Sequence, residues 1–491
     1  MPALDATGRD RDVGDDVILR TPGLEGDAEV RRPSRPGERG PAGVTRKAME
    51  QALKSTDLQA FRTVEIARAR QVGGDGRAGR TRGGTDESYI ELEAPDAGPD
   101  FGQVLLYQDE AGVITWHTGE VVKRAAERGT GRRTYRVWGG VAKTEGEGDG
   151  TRGLLSAIGS KVLTVVVFPL IDPVLGKVGD YFAQRWEARH RPYGIRTFGP
   201  TGYGKPTTAQ WTAADWKRVA EGRALLFIHG TGSRSHSGFG ALPPSFVKWV
   251  HATYEGRVFA VDHPTIGTSP RENAEWLIDQ IPRGSKLDLD IICHSRGGLF
   301  SRVLAEQQSA LNLDERQLAI RRLLMIGVPN AGTALADGDH ILSFIDSYTT
   351  LLNLLPAPAV VDVLETLVTV VKQVALGAFK GLDGISSMLP KGAYLTKLNV
   401  GLRSQIPTRY FAMGSNFEPS QPGLGQFKDG IIDKIFGADN DGIVPTGGVA
   451  DGNGSSMFPV ADSHVFQGEV DHSGYFRNKE AVKLMQDWLK A

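Results

Sequence analysis

The chain has a single cysteine, Cys293, in 491 residues, so it cannot form an intramolecular disulfide, and no Cys/His cluster has zinc-ligand spacing. A disulfide scaffold and a zinc module are both excluded. Neither sign of charge is in excess, since Lys+Arg 57 against Asp+Glu 58 leaves a formal charge of −1. That disfavours a dedicated nucleic-acid binder, which neutralises phosphates with a basic surface. Long apolar runs are also missing. The most apolar stretch, VLTVVVFPLI at 162–171, is half the roughly 20 residues that a membrane span needs, and Pro169 interrupts it. A buried strand or helix is expected there. The first twenty residues lack the apolar core of a secretory leader, which points to a soluble, cytoplasmic protein. No metal or cofactor is expected. What remains, 40% hydrophobic and 23% charged, is ordinary for folded protein and long enough for more than one unit.

Composition divides the chain. Residues 1–85 are rich in Gly, Pro, Arg and Asp (RRPSRPGERGPAG at 31–43), offering too little apolar surface to offset ordering. This segment is expected to be largely disordered, interrupted by one helix within 45–70 that uses Met49, Leu53, Phe61 and Ile66. The arginines of 68–82 read as a solvated linker. Short β-like runs at 89–92, 102–108, 112–118 and 133–138 predict a small β-rich module over 86–142. A Gly-rich break at 143–153 follows, and 143–200 is expected to be linker and connecting helices. From 201 to 491 strands alternate with helices, predicting an α/β domain on a mostly parallel sheet. Its strands are expected at 224–230, 257–263, 287–294, 321–327 and 409–415, and its helices at 245–254, 270–280, 299–308 and 478–490. The strand runs are apolar throughout, as when helices cover both sheet faces.

The strongest local signal is IICHSRGGL at 291–299. A buried strand enters Ser295, two glycines follow, and an amphipathic helix begins, the context of a nucleophile elbow. Small residues two before and two after the serine let strand and helix approach, and Cys293 and Gly297 fill those places. A serine hydroxyl needs a base, and the base an orienting acid. In this fold class the order is serine, acid, histidine. Downstream of Ser295 stand His340, which comes too early, His464 and His472. His472, in EVDHSGYF before the last helix, is preferred, with His464 in reserve. Asp441, in ADNDGIVP, follows a strand and precedes His472 by 31 residues, so it is preferred as the acid. Asp439 competes with it, and Asp471 is discounted because side chains of neighbouring residues diverge. The oxyanion donors are expected to be the backbone N–H groups of Arg296 and of Thr231, with Gly232 second to Thr231. His229 is read as a prop for that loop.

HG at 229–230, HSRGG at 294–298, GVPNAGT at 327–333, NDGIVP at 440–445 and DH at 471–472 together resemble the α/β-hydrolase superfamily. They are most similar to bacterial lipase/esterase-like members related to the triacylglycerol lipase and lecithin–cholesterol acyltransferase groups. The likeness runs from about 222 to the C-terminus. Cys293, where that superfamily usually has glycine, is the departure. The resemblance implies an α/β-hydrolase fold with a helical lid inserted at about 335–395; it says nothing about residues 1–150, where composition and residue pattern alone predict the disordered N-terminus and the β-rich module that precede this domain. It implies a serine hydrolase that cleaves carboxylic esters, of which lipid esters are one kind. The alternatives are an acyltransferase or amidase with the same triad, or a binding protein that keeps the fold. Within the insertion Val360, Leu364, Leu367, Val371 and Val374 share one helical face, and Asp362, Glu365, Thr369, Lys372 and Gln373 the other. Such a helix serves either as a lid meeting a lipid interface transiently or as a fixed cap. The expected partner is a small-molecule ester or lipid, with no nucleic acid.

Overall fold

A computed structural model describes residues 2–31, 44–72, 89–109, 111–122, 131–138, 159–207, 209–352, 360–400, 407–421, 424–425, 428–451 and 460–491. The 143–153 break lies outside them, as do most of RRPSRPGERGPAG and all of 73–82. The C-terminal part of the chain is built on a seven-stranded sheet. In spatial order the strands are Gly194–Thr197, Val258–Asp262, Arg223–Ile228, Lys286–His294, Gln317–Ile326, Arg409–Phe417 and Val460–Gly468. Only the first pairs antiparallel. The five strands expected from the sequence form its interior. Both edge strands were missed, for a physical reason: Val460–Gly468 buries only Phe466, so it carries no continuous apolar run. Helix Pro270–Gln280 opens on a capping box between Ser269 and Glu272, with proline at its first position.

The N-terminal half corrects the sequence reading. Described residues of the segment expected to be disordered form strands Ala3–Asp5, Arg11–Gly14, Val17–Arg20, Leu24–Arg31 and Gln59–Gln71 and helix Val44–Ser55. Phe61 and Ile66, expected on a helix, lie on a strand. Strand Gln59–Gln71 reads as polar because its outward positions carry arginine, with Arg70 2.7 Å from the Glu25 carboxylate and Arg68 paired to Asp27. Its inward residues are Val64, Ile66 and then Ala69. Arg68, at φ 52°, marks the irregularity that moves the alternation by one residue. Charge lowered the mean hydropathy and hid a period-two pattern.

The apolar run near 162–171 is strand Gly159–Pro169, not a connecting helix, and it pairs with Gln59–Gln71 on one side and Phe101–Asp109 on the other. These belong to an antiparallel sheet edged by Ile114–Thr118. A second antiparallel sheet holds Tyr89–Pro95 and Arg132–Trp138. The β-rich unit thus reaches well beyond 86–142.

Helices Ile341–Leu351 and Val360–Val374 join this unit to the part of the chain that carries the seven-stranded sheet. Helix Ile341–Leu351 meets the edge strand: Trp116 N donates to Asp346 Oδ1 at 2.8 Å, and Thr350 Oγ1 accepts from Ile114 N and donates to Ile114 O, both at 3.0 Å. Side chains here satisfy backbone groups that an edge strand otherwise leaves open. Helix Val360–Val374 is enclosed on both faces. Its expected polar face is tied down: Lys372 Nζ donates to Thr56 O (2.6 Å), Ser55 Oγ to Glu365 (2.7 Å), and Ala183 N to Gln373 Oε1 (2.7 Å).

Burial pushes the Asp346 carboxyl well above its ordinary range, the bond from Trp116 N opposing this only in part. A carboxyl whose folded value exceeds its unfolded value contributes stability that is complete below about pH 4 and is lost as pH rises toward the folded value. Asp346→Asn keeps an acceptor for Trp116 N and has no proton to lose. Its melting temperature relative to wild type should therefore be level near pH 4 and several degrees higher at pH 8, read by thermal scans across that range. A difference that does not vary with pH would contradict this.

Candidate active site

Strand Lys286–His294 delivers Ser295 into the left-handed region at φ 51°, followed at once by helix Gly297–Glu306. A serine there is strained by about 1–3 kcal/mol, which the surrounding structure must hold. Ser295 N donates to Ile326 O of the neighbouring strand at 2.9 Å. Behind it the packing is close: a Cβ on Gly297 would lie 2.4 Å from His229 O, so only glycine fits between helix and strand. Cys293, the departure at the other small position, is fully buried with Sγ 3.2 Å from Leu324 O, and burial pushes its thiol up to about 12. It packs as a small apolar residue and offers no thiolate.

Asp441 and His472 meet in full burial. His472 Nδ1 lies 2.8 Å from Asp441 Oδ2, and His472 N donates to Asp441 O at 2.9 Å. The carboxylate also accepts from Tyr475 Oη (2.9 Å), Ile443 N (3.1 Å) and Val444 N (2.8 Å). Four donors fix both oxygens, so the imidazole takes the tautomer with its proton on Nδ1 and Nε2 bare. Among the described residues Nε2 has no partner. Ser295 Oγ lies instead 3.4 Å from Tyr348 Oη, on helix Ile341–Leu351. Ser295 is 1% exposed and His472 0%. In this closed arrangement the serine and the imidazole nitrogen are not yet joined.

The rejected candidates sit elsewhere. His464 is on edge strand Val460–Gly468, partly exposed, 3.9 Å from Glu480. Asp471 pairs with Arg477 and accepts from Ser473 N at 2.8 Å, shaping the turn that carries His472. Asp439 contributes its backbone, accepting from Thr446 N at 2.8 Å. His340 stands at the start of helix Ile341–Leu351.

In the loop after strand Arg223–Ile228 the structure separates Thr231 from its alternative, Gly232. Gly232 N is taken up by Thr265 Oγ1 at 3.0 Å. Among the described residues the N–H groups of Thr231 and Arg296 donate to nothing. The loop is held from below. Glu187, fully buried, accepts from Thr265 Oγ1 (3.0 Å), Ile266 N (2.8 Å) and Gly267 N (3.1 Å). His229 Nδ1 donates to Gly230 O (3.0 Å), its Nε2 accepts from His263 N (3.2 Å), and its ring stacks on His263 at 4.2 Å. With both nitrogens spent on backbone, His229 props the loop. The Arg296 side chain donates to Gly384 O (2.8 Å) and to Thr268 O, and burial lowers its guanidinium to about 10. His294 Nε2 donates to His472 O at 2.9 Å, and burial, with His472 beside it, lowers its imidazole to about 3, so it is neutral.

Sequence reasoning missed Tyr348, Tyr475, Glu187 and the role of His294. Tyr475 had a signal, lying in the EVDHSGYF segment quoted for His472. Tyr348 and Glu187 had none, since each meets the site through tertiary packing alone. No group of three or more His, Cys, Asp or Glu among the described residues is placed to hold a metal, and no helix among them is long and apolar enough to cross a membrane.

The fold and this cluster define a mixed α/β protein that gathers a serine, a histidine and an aspartate near one end of a largely parallel sheet. A family model described as "Domain of unknown function (DUF7379)" matches residues 190–490, and the chain belongs to that family. No curated protein sequence matches it. Among solved structures it is similar to phospholipase PlaB from Legionella pneumophila, at 14% identity and TM-score 0.29 over 46% of this chain and 45% of that one. The chain thus spans less than half of PlaB. Lipase 1 from Pelosinus fermentans is similar at 12% identity and TM-score 0.37 over 55% of this chain and 97% of that one. Carboxylesterase CesB from Bacillus subtilis is similar at 11% identity and TM-score 0.32 over 63% and 96%.

Proposed function

We propose that this chain is an α/β-hydrolase that cleaves carboxylic esters through a Ser295–His472–Asp441 triad and an acyl-enzyme. One observation carries the reading: a buried His472–Asp441 pair at 2.8 Å, with Nε2 bare, in the same buried cluster as a serine held at φ 51°. His472 Nε2 takes the proton of Ser295 Oγ as it attacks the carbonyl, and Asp441 stabilises the imidazolium that forms. The N–H groups of Thr231 and Arg296 receive the oxyanion. His472 then protonates the departing alcohol, and water attacks the acyl-enzyme by the same route. A Tyr348 side chain 3.4 Å from Oγ has to yield for the serine to meet Nε2. The test is labelling by a fluorophosphonate probe, mapped by mass spectrometry to Ser295, alongside hydrolysis of short aryl esters. A folded protein that neither labels nor hydrolyses them would refute the reading.

Enclosure of helix Val360–Val374 on both faces favours a fixed cap over an interfacial lid. Lifting it would break the bonds from Ser55, Ala183 and Lys372 and expose both faces at once. The substrate is accordingly a dispersed small ester, and no membrane or lipid surface takes part. Rate against ester concentration should be hyperbolic through the point of substrate aggregation; a sharp rise at that point would restore the lid.

A further inference from the structure

Beside the site lies a cavity of about 110 Å³, bounded by Thr231, His236, Tyr348, Leu352, Val363 and by His294 and Ser473, the chain neighbours of Ser295 and His472, which do not line it themselves. Against the roughly 10–15 Å³ that one water needs on the same measure, that volume holds several waters and suits a short substrate arm. Its polar walls are mostly occupied. Ser237 Oγ accepts from Arg234 N (2.9 Å) and donates to Arg234 O (3.2 Å), and Ser233 Oγ donates to Gly230 O (3.0 Å). Tyr348 Oη lies against Ser295.

His236 differs. Its ring is buried, its Nε2 is 3.0 Å from Asp362 Oδ2, and no described residue bonds its Nδ1. Asp362 is itself gripped by Arg234 through Nε (3.1 Å) and Nη2 (2.7 Å), so the imidazole is oriented by a fixed carboxylate. The triad and the oxyanion donors make no use of this pair. We propose that His236 is a specificity-determining residue that reads a hydroxyl group on a short arm of the ester substrate. The proposal rests on the hydrolase reading and narrows its substrate class.

The hydroxyl follows from exclusion. A plain alkyl arm packed against His236 in the cavity would displace water from Nδ1 and leave it unpaired, a loss that sites built for a hydroxyl convert into discrimination. A carboxylate finds no spare cation, because Arg234 is matched by Asp362 and Arg191 by Glu365 at 2.6 Å. Among Leu352, Val363 and Ala241 an unpaired charge would be costly. With the ring proton on Nε2, facing Asp362, Nδ1 is an acceptor, and a hydroxyl can donate to it where a carboxylate cannot.

The arm can belong to the acyl group or to the alcohol, and two pairs of esters separate these. For the acyl side, 4-nitrophenyl 3-hydroxybutyrate is compared with the butyrate; for the alcohol side, 2-hydroxyethyl butyrate with propyl butyrate. In wild type one pair should favour the hydroxylated ester in kcat/KM by at least about tenfold. His236→Leu should bring that ratio to near one, and Asp362→Asn, which loosens the ring, to an intermediate value. Each ratio is taken within one variant, so general damage cancels; if His236→Leu does not fold, the wild-type ratio and Asp362→Asn decide. Ratios near one in both pairs for a wild type labelled on Ser295, or a ratio unmoved by these variants, would overturn the subsite alone. Octanoate hydrolysed faster than butyrate would overturn it too. Absence of labelling and of hydrolysis on every ester would overturn both readings.

Discussion

Ser295→Ala should abolish ester hydrolysis and fluorophosphonate labelling while the protein stays folded. The expected loss in turnover is about a millionfold, the scale seen when a triad loses its nucleophile. Stability should hardly change, because Oγ makes one long contact, 3.4 Å to Tyr348, and bears none of the loop's bonds. Those are made by the backbone, through Ser295 N to Ile326 O. The left-handed backbone offers an internal control. At φ 51° alanine is as strained as serine, whereas glycine is not. Ser295→Gly should therefore be equally inactive yet melt at or above the wild-type temperature. Substantial activity in either variant, with a near-native melt, would remove Ser295 from the mechanism.

What the sequence made legible follows from how local each signal is. The interior strands of the parallel sheet announce themselves as continuous apolar runs, and the turn at Ser295 as a serine between small residues. Asp441 and His472 were readable from order along the chain, and the structure brings those two together. The N-terminal strands were hidden because a two-faced strand with arginine on its outer face, such as Gln59–Gln71, has the average composition of a linker. Glu187 and Tyr348 were beyond reach for another reason. A glutamate on helix Phe182–His190 and a tyrosine on an apolar helix look like solvated and core residues until the chain folds them onto the loop at 265–267 and onto the serine. The amphipathic pattern of Val360–Val374 was read correctly as a helix. A pattern cannot say what covers the polar face, and here the N-terminal unit does.

Changing the base should be nearly as damaging as removing the serine and changing its orienting acid less so, and the two changes fail differently. His472→Ala removes the proton carrier, and since triad members act as one unit the loss should again approach a millionfold. It also leaves Asp441 buried with Tyr475 and two backbone donors but no imidazole, so some loss of stability is expected. Asp441→Asn separates the two effects. Its carbonyl keeps the bonds from Ile443 N and Val444 N, and its amide replaces the oxygen that faces His472 Nδ1. An amide there donates, so the imidazole moves its proton to Nε2 and can no longer accept one from Ser295; a loss of about ten-thousandfold follows, in a protein that remains folded. His464→Ala should stay within about twofold of wild type, because its ring sits on an edge strand and its one ionic contact is a 3.9 Å approach to an exposed Glu480. Steady-state rates on one short aryl ester, with melting curves for each variant, decide the matter. If His464→Ala were the inactive variant and His472→Ala the mild one, the buried pair with Asp441 would be structural and the base would lie elsewhere.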